Sequence, residues 1–68
     1  MWIVINGERR QFFDGLSLSK LIEQLQLPAS RIAVELNGEV VRRINWPATS
    51  LQNDDRIEIV HFVGGGVF

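Results

Sequence analysis

The first apolar run, Trp2-Ile3-Val4-Ile5, is β-branched and aromatic and stops at Asn6-Gly7. Such residues suit a pleated strand, and Asn-Gly tolerates positive φ at both positions, so the pattern predicts a strand folded straight back on itself. Glu8 to Phe13 forms the return strand, with Phe12 and Phe13 expected to anchor its far end before an Asp14-Gly15 turn. The period then changes. Leu18, Leu21, Ile22 and Leu25 recur at i, i+3, i+4 and i+7, the single apolar stripe of a helix about ten residues long that packs on a sheet. Ser17 stands where an N-cap accepts an orphan backbone N–H, and Pro28 stops the helix beyond Leu27.

Arg31 to Leu36 returns to period two, with Ile32, Val34 and Leu36 on one face and Arg31, Ala33 and Glu35 on the other. Asn37-Gly38 is a second tight turn into a short return strand, Glu39-Val40-Val41. Trp46-Pro47 and the residues after it interrupt regular structure, because proline lacks a donor and biases its predecessor toward extended backbone. After a turn at Asn53-Asp54-Asp55, Arg56 to His61 reads as the last strand, with Ile57 and Ile59 sharing one face. The order is ββαβββ. It predicts an α+β domain over residues 1–61, a mixed sheet of four to five strands with one helix on one face, followed by a flexible tail over 62–68.

Composition narrows the classes. Apolar residues make up 46% of the chain and charged residues 22%, values of an ordinary folded domain that argue against disorder. A chain of 68 residues has room for one modest core. The net charge of −1 lacks the basic excess that phosphate binding needs, and Glu8 and Glu39 lie near the Arg9-Arg10 and Arg42-Arg43 pairs, so nucleic acid is excluded as a partner. With no cysteine there is no disulfide, thiol nucleophile or Cys-based metal site. No run is apolar enough to span a bilayer, and the first residues turn polar too soon for a signal peptide, which leaves the cytoplasm as the default.

Catalytic chemistry is hard to place. His61, the one histidine, has no acid or nucleophile beside it in sequence and reads as strand filler. Asp54-Asp55 suits a turn better than a cation site, because adjacent carboxylates seldom converge on one point. Trp2 and Trp46 lack basic company and read as packing residues rather than stacking platforms. Gly64-Gly65-Gly66 is not a phosphate loop, since no Lys-Ser/Thr follows. Directly after Ile59-Val60-His61-Phe62-Val63, however, it forms a thread without side chains beside apolar anchors, suited to a partner's narrow channel. A frayed terminus is the plain alternative.

Taken together, several segments resemble the sulfur carrier proteins of thiamine biosynthesis, the ThiS family of β-grasp (ubiquitin-like) proteins. They are the strand ending in Asn6-Gly7-Glu8, the Leu18 to Leu25 helix, Val34-Glu35-Leu36-Asn37-Gly38-Glu39-Val40-Val41, Arg43 with Trp46, and Asp55 through Gly66. The resemblance covers nearly the whole chain and implies a carrier, not an enzyme. In it an ATP-using, ThiF-like activating enzyme adenylates the terminal glycine carboxylate, a cysteine-derived persulfide displaces AMP, and thiazole synthase takes sulfur from the thiocarboxylate. Carried onto this chain, Gly66 is the modified residue, and Phe62, Val63, Gly64 and Gly65 seat the tail in the partner. No bound cofactor or metal is implied; ATP belongs to the partner.

Two departures stand out. Asn53-Asp54-Asp55 replaces the family's usual Asp-Gly-Asp, so a residue other than glycine must form that turn. Val67-Phe68 follow the glycines, whereas an active carrier ends in glycine. A protease removes them, or they block the end, or they are a cloning remnant; all three readings stand. Molybdopterin synthesis is the alternative recipient of the sulfur, and a β-grasp interaction module with an inert tail is the alternative class.

Overall fold

Alternation in the strands and a stripe on the helix give two apolar surfaces that can be buried only against each other. In the computed structural model, which describes residues 1–62, they meet around a single core. The chain runs through β1 (Trp2–Ile5), β2 (Glu8–Gln11), α1 (Leu18–Gln24), β3 (Ile32–Leu36), β4 (Glu39–Val40) and β5 (Asp55–His61). Two 3₁₀ turns, Ala29–Arg31 and Arg43–Ala48, complete the set.

The strands form one five-stranded mixed sheet in the order β2-β1-β5-β3-β4. The last strand in sequence is therefore the central one. It runs parallel to β1, with Ile5 opposite Ile57, and antiparallel to β3, with Val34 opposite Ile59. Ile3, Ile5, Ile32, Val34, Ile57 and Ile59 face Leu18, Leu21 and Ile22 of α1 in the buried cluster. This α+β, β-grasp architecture is the one expected from the sequence, with the sheet at the upper end of the predicted strand count.

Both Asn-Gly turns form as expected. Asn6 and Gly7 hold φ of +49° and +83°, and Asn37 and Gly38 hold +52° and +89°, the left-handed pair that matches strand twist in a tight hairpin. Asp54 supplies positive φ (+72°) at the third turn, as expected of a residue other than glycine there. Four strand boundaries differ from expectation, one of them the start of β5, at Asp55 rather than Arg56. β2 ends at Gln11, so Phe12 packs against the core but Phe13, at 82% exposure, anchors nothing. β4 ends one residue early, at Val40. Arg31 belongs to a 3₁₀ turn rather than to β3.

The helix is seven residues long rather than about ten. Its start is as read: Ser17 Oγ accepts from the backbone N–H of Lys20 at 3.1 Å. Its end lies earlier because Gln26 turns left-handed at φ +57°. Leu27 N–H then donates to Ile22 O at 3.3 Å and Gln26 N–H to Glu23 O at 3.0 Å, a Schellman cap that closes the helix before Pro28 can. Glycine is the residue this conformation favours. Gln26→Gly is expected to stabilise the domain by about 0.5–1 kcal/mol, because relief of left-handed strain outweighs added freedom in the unfolded chain. Thermal denaturation should show a rise of a few degrees; a fall would contradict that reading of the cap.

Trp46 is buried inside the second 3₁₀ turn, ahead of Pro47, and its Nε1–H donates to Val41 O at 2.9 Å. The indole thus adds apolar volume beneath α1 without leaving its one polar atom unpaired. Of the two tryptophans read as packing residues, Trp46 is almost fully buried and Trp2 half-buried.

Candidate functional site

The central strand carries the chain to the edge of the domain. β5 ends at His61, and Phe62 N–H still donates to Arg31 O at 2.7 Å, so the residue just before β3 continues to hold this side of the chain at Phe62. Ile57 and Ile59 point into the core, whereas Val60 (59% exposed) and Phe62 (52% exposed) leave apolar surface open at the end of β5. Of the residues expected to serve the partner, Phe62 is thus placed at the exit of the central strand. Val63, Gly64, Gly65, Gly66, Val67 and Phe68 lie outside the described residues.

On the face of the sheet away from α1, register places Val4 beside Arg56, Val60 beside Ala33, and Glu58 beside Glu35. The Arg9 guanidinium lies over the Trp2 ring, 4.1 Å from its centroid. This stacked, solvent-exposed cation gives Arg9 a role at the surface that does not involve an anion.

The alternative sites find other employment. Asp55 Oδ2 accepts from Gln52 N–H at 2.8 Å and its Oδ1 from Asn37 Nδ2 at 3.0 Å, while Asp54 Oδ2 takes Asn53 Nδ2 at 3.2 Å. The two carboxylates therefore brace turns and do not converge. Among the described residues, no three His, Asp or Glu side chains come together as a metal site would require. His61 is exposed at the strand end. Two open depressions, one lined by Gln11, Phe12, Phe13 and Gln24 and the other by Arg42, Arg43, Ile44 and Pro47, hold no nucleophile paired with a base.

Sequence reasoning missed a pair of clamps on β5. The Asn6 carboxamide accepts from Ile59 N–H at 2.7 Å through Oδ1 and donates to Ile59 O at 3.2 Å through Nδ2. Asn37 Oδ1 accepts from Arg56 N–H at 2.8 Å, and its own N–H donates to Arg56 O at 2.7 Å. The available signal was the choice of Asn over Asp in both Asn-Gly turns. Either residue forms the turn, but only the amide both donates and accepts.

A small β-grasp domain, one helix against a five-stranded mixed sheet whose central strand leads to a glycine-rich end, is the class of protein these features define. Comparison with known proteins places it within that class. Residues 3–66 match the ThiS family, and the chain belongs to that family. The sulfur carrier protein ThiS of Bacillus subtilis is 38% identical over 53 residues, covering 78% of this chain and 80% of that protein. A thiazole synthase of Magnetococcus marinus is 44% identical over 66 residues, which cover 97% of this chain and 20% of the synthase. The chain thus spans about a fifth of the length of the thiazole synthases that it matches. The crystal structure of the thiamine biosynthesis protein ThiS from Geobacter metallireducens superposes with a TM-score of 0.86 at 33% identity, covering 97% of this chain and all of that one.

Proposed function

We propose that this chain carries sulfur as a thiocarboxylate on Gly66 and delivers it for thiazole formation in thiamine biosynthesis. The observation that supports this most is the extent of the family match, which runs from residue 3 through the third glycine and stops at residue 66. Gly66 becomes the reacting terminus once the residues after it, Val67 and Phe68, are removed, a step for a trimming protease.

A carboxylate is a poor electrophile because its charge is shared over both oxygens. Attack of the Gly66 carboxylate on the α-phosphorus of ATP, in the active site of a ThiF-like enzyme, expels pyrophosphate and leaves an acyl adenylate. The terminal sulfur of a persulfide then attacks the carbonyl carbon and AMP departs with the bonding pair. A thiol cleaves the remaining S–S bond, leaving the thiocarboxylate on Gly66. The carrier contributes position, and the partners contribute catalysis. Phe62 and Val63 seat the tail at the channel mouth, while Gly64 and Gly65 let the backbone pass where a side chain would clash.

Thiazole synthase is the favoured recipient because two matched relatives bear that name. Cysteine labelled with heavy sulfur, supplied with a desulfurase, the activating enzyme, the chain ending at Gly66 and thiazole synthase, should pass its label into the thiazole product. Label that reaches the carrier but never the thiazole would contradict this recipient and favour another sulfur-containing metabolite.

A further inference from the structure

Beyond Ile57 the strand β1 is no longer available to β5, since their register covers Asp55, Arg56 and Ile57 only. Asn6 takes over at that point. Its backbone N–H donates to Ile57 O at 2.9 Å, and its carboxamide then pairs with both backbone groups of Ile59, as the next residue of a strand would. β5 is therefore held from both sides as far as Ile59. From Val60 to Phe62 it is held, among the described residues, from one side only, through the Ala33–Val60 and Ile32–His61 pairs with β3 and the bond from Phe62 N–H to Arg31 O just before it.

We infer that Asn6 is a positioning residue: its side chain sets the direction in which the reactive end of the chain leaves the domain. This rests on the function proposed above. Gly66 lies seven positions beyond Ile59. At full stretch that is a reach of at most about 23–25 Å, so the direction in which β5 leaves the domain sets the region that the carboxylate can reach. Misplacement of a reacting group by about 1 Å can cost on the order of a hundredfold in rate. Without the clamp, the last residue held from both sides retreats from Ile59 to Ile57.

The protein contains its own control. Asn37 occupies the same kind of turn at nearly the same φ and clamps the same strand through a carboxamide, but at Arg56, the end of β5 far from the tail. In both turns glycine keeps the positive φ without strain and deletes the amide. Asn6→Gly and Asn37→Gly, each in the chain ending at Gly66, should therefore lose similar amounts of thermal stability.

Their kinetics as substrates of the activating enzyme, read by ATP-dependent pyrophosphate release, should differ. For Asn6→Gly, kcat/KM is expected to fall roughly tenfold, and for Asn37→Gly to stay within about twofold of the parent. Asn6→Asp keeps the acceptor for Ile59 N–H but loses the donor, and is expected to fall between parent and Asn6→Gly. It serves with Asn37→Asp as the matched pair should a glycine variant not fold. Equal losses at both positions, or losses that follow melting temperature regardless of position, overturn the positioning role while leaving the carrier function intact. A parent chain that releases no pyrophosphate overturns both.

Discussion

Carried through to Phe68, the chain is expected to release pyrophosphate from ATP at least about a hundredfold more slowly than the same chain cut back to Gly66, when each is offered to the activating enzyme. In the longer chain Gly66 is part of an amide. Its carbonyl oxygen carries no full negative charge, and attack on phosphorus there yields no stable mixed anhydride. The carboxylate at Phe68 is no substitute. It sits two positions farther out, and the side chains of Val67 and Phe68 add bulk beside it that the glycines lack. Comparable release from both chains would mean that the reacting carboxylate is not that of Gly66.

Replacing Ile57 by alanine is expected to lower the melting temperature by on the order of 15–20 °C. Ile57 is fully buried in the central strand, opposite Ile5 on one side and Leu36 on the other. Truncation there removes apolar contacts to two strands and the helix, and the strands cannot collapse into the gap without breaking register. Buried Ile→Ala changes cost about 2–5 kcal/mol. A domain of this size has only about 3–10 kcal/mol in total, so much of its stability rests on that one side chain. Val60→Ala, on the same strand but exposed, should cost no more than about 0.5 kcal/mol. A loss at Ile57 as small as that at Val60 would contradict the central place of β5 in the core.

The parts of the fold that could be read from sequence are those governed by neighbours along the chain. Asn6-Gly7 and Asn37-Gly38 announce their hairpins, Ser17 caps the helix it precedes, and alternation around Val34 and Ile57 assigns the core face. The helix end was less legible. Pro28 is the conspicuous stop signal, but the left-handed turn of Gln26 acts first, and glutamine carries no signal for that conformation.

Least legible were features that join distant positions. The parallel pairing of β1 with β5 brings Ile5 beside Ile57, and the Asn6 clamp spans 53 positions to Ile59. No local propensity encodes either. Their stabilisation appears only after the chain has closed, and an asparagine read as a turn former gives no indication that its side chain will also extend a strand. Of the residues expected to form the tail, Phe62 is the one whose position, at the end of β5, can be described.

Intact mass tests the account most directly. The chain ending at Gly66, incubated with the activating enzyme, ATP, cysteine and a desulfurase, should become heavier by the difference between one sulfur and one oxygen, with fragmentation locating the change at Gly66. An unchanged mass, while the same enzyme mixture converts another sulfur carrier, would contradict the claim that Gly66 is where this protein bears sulfur.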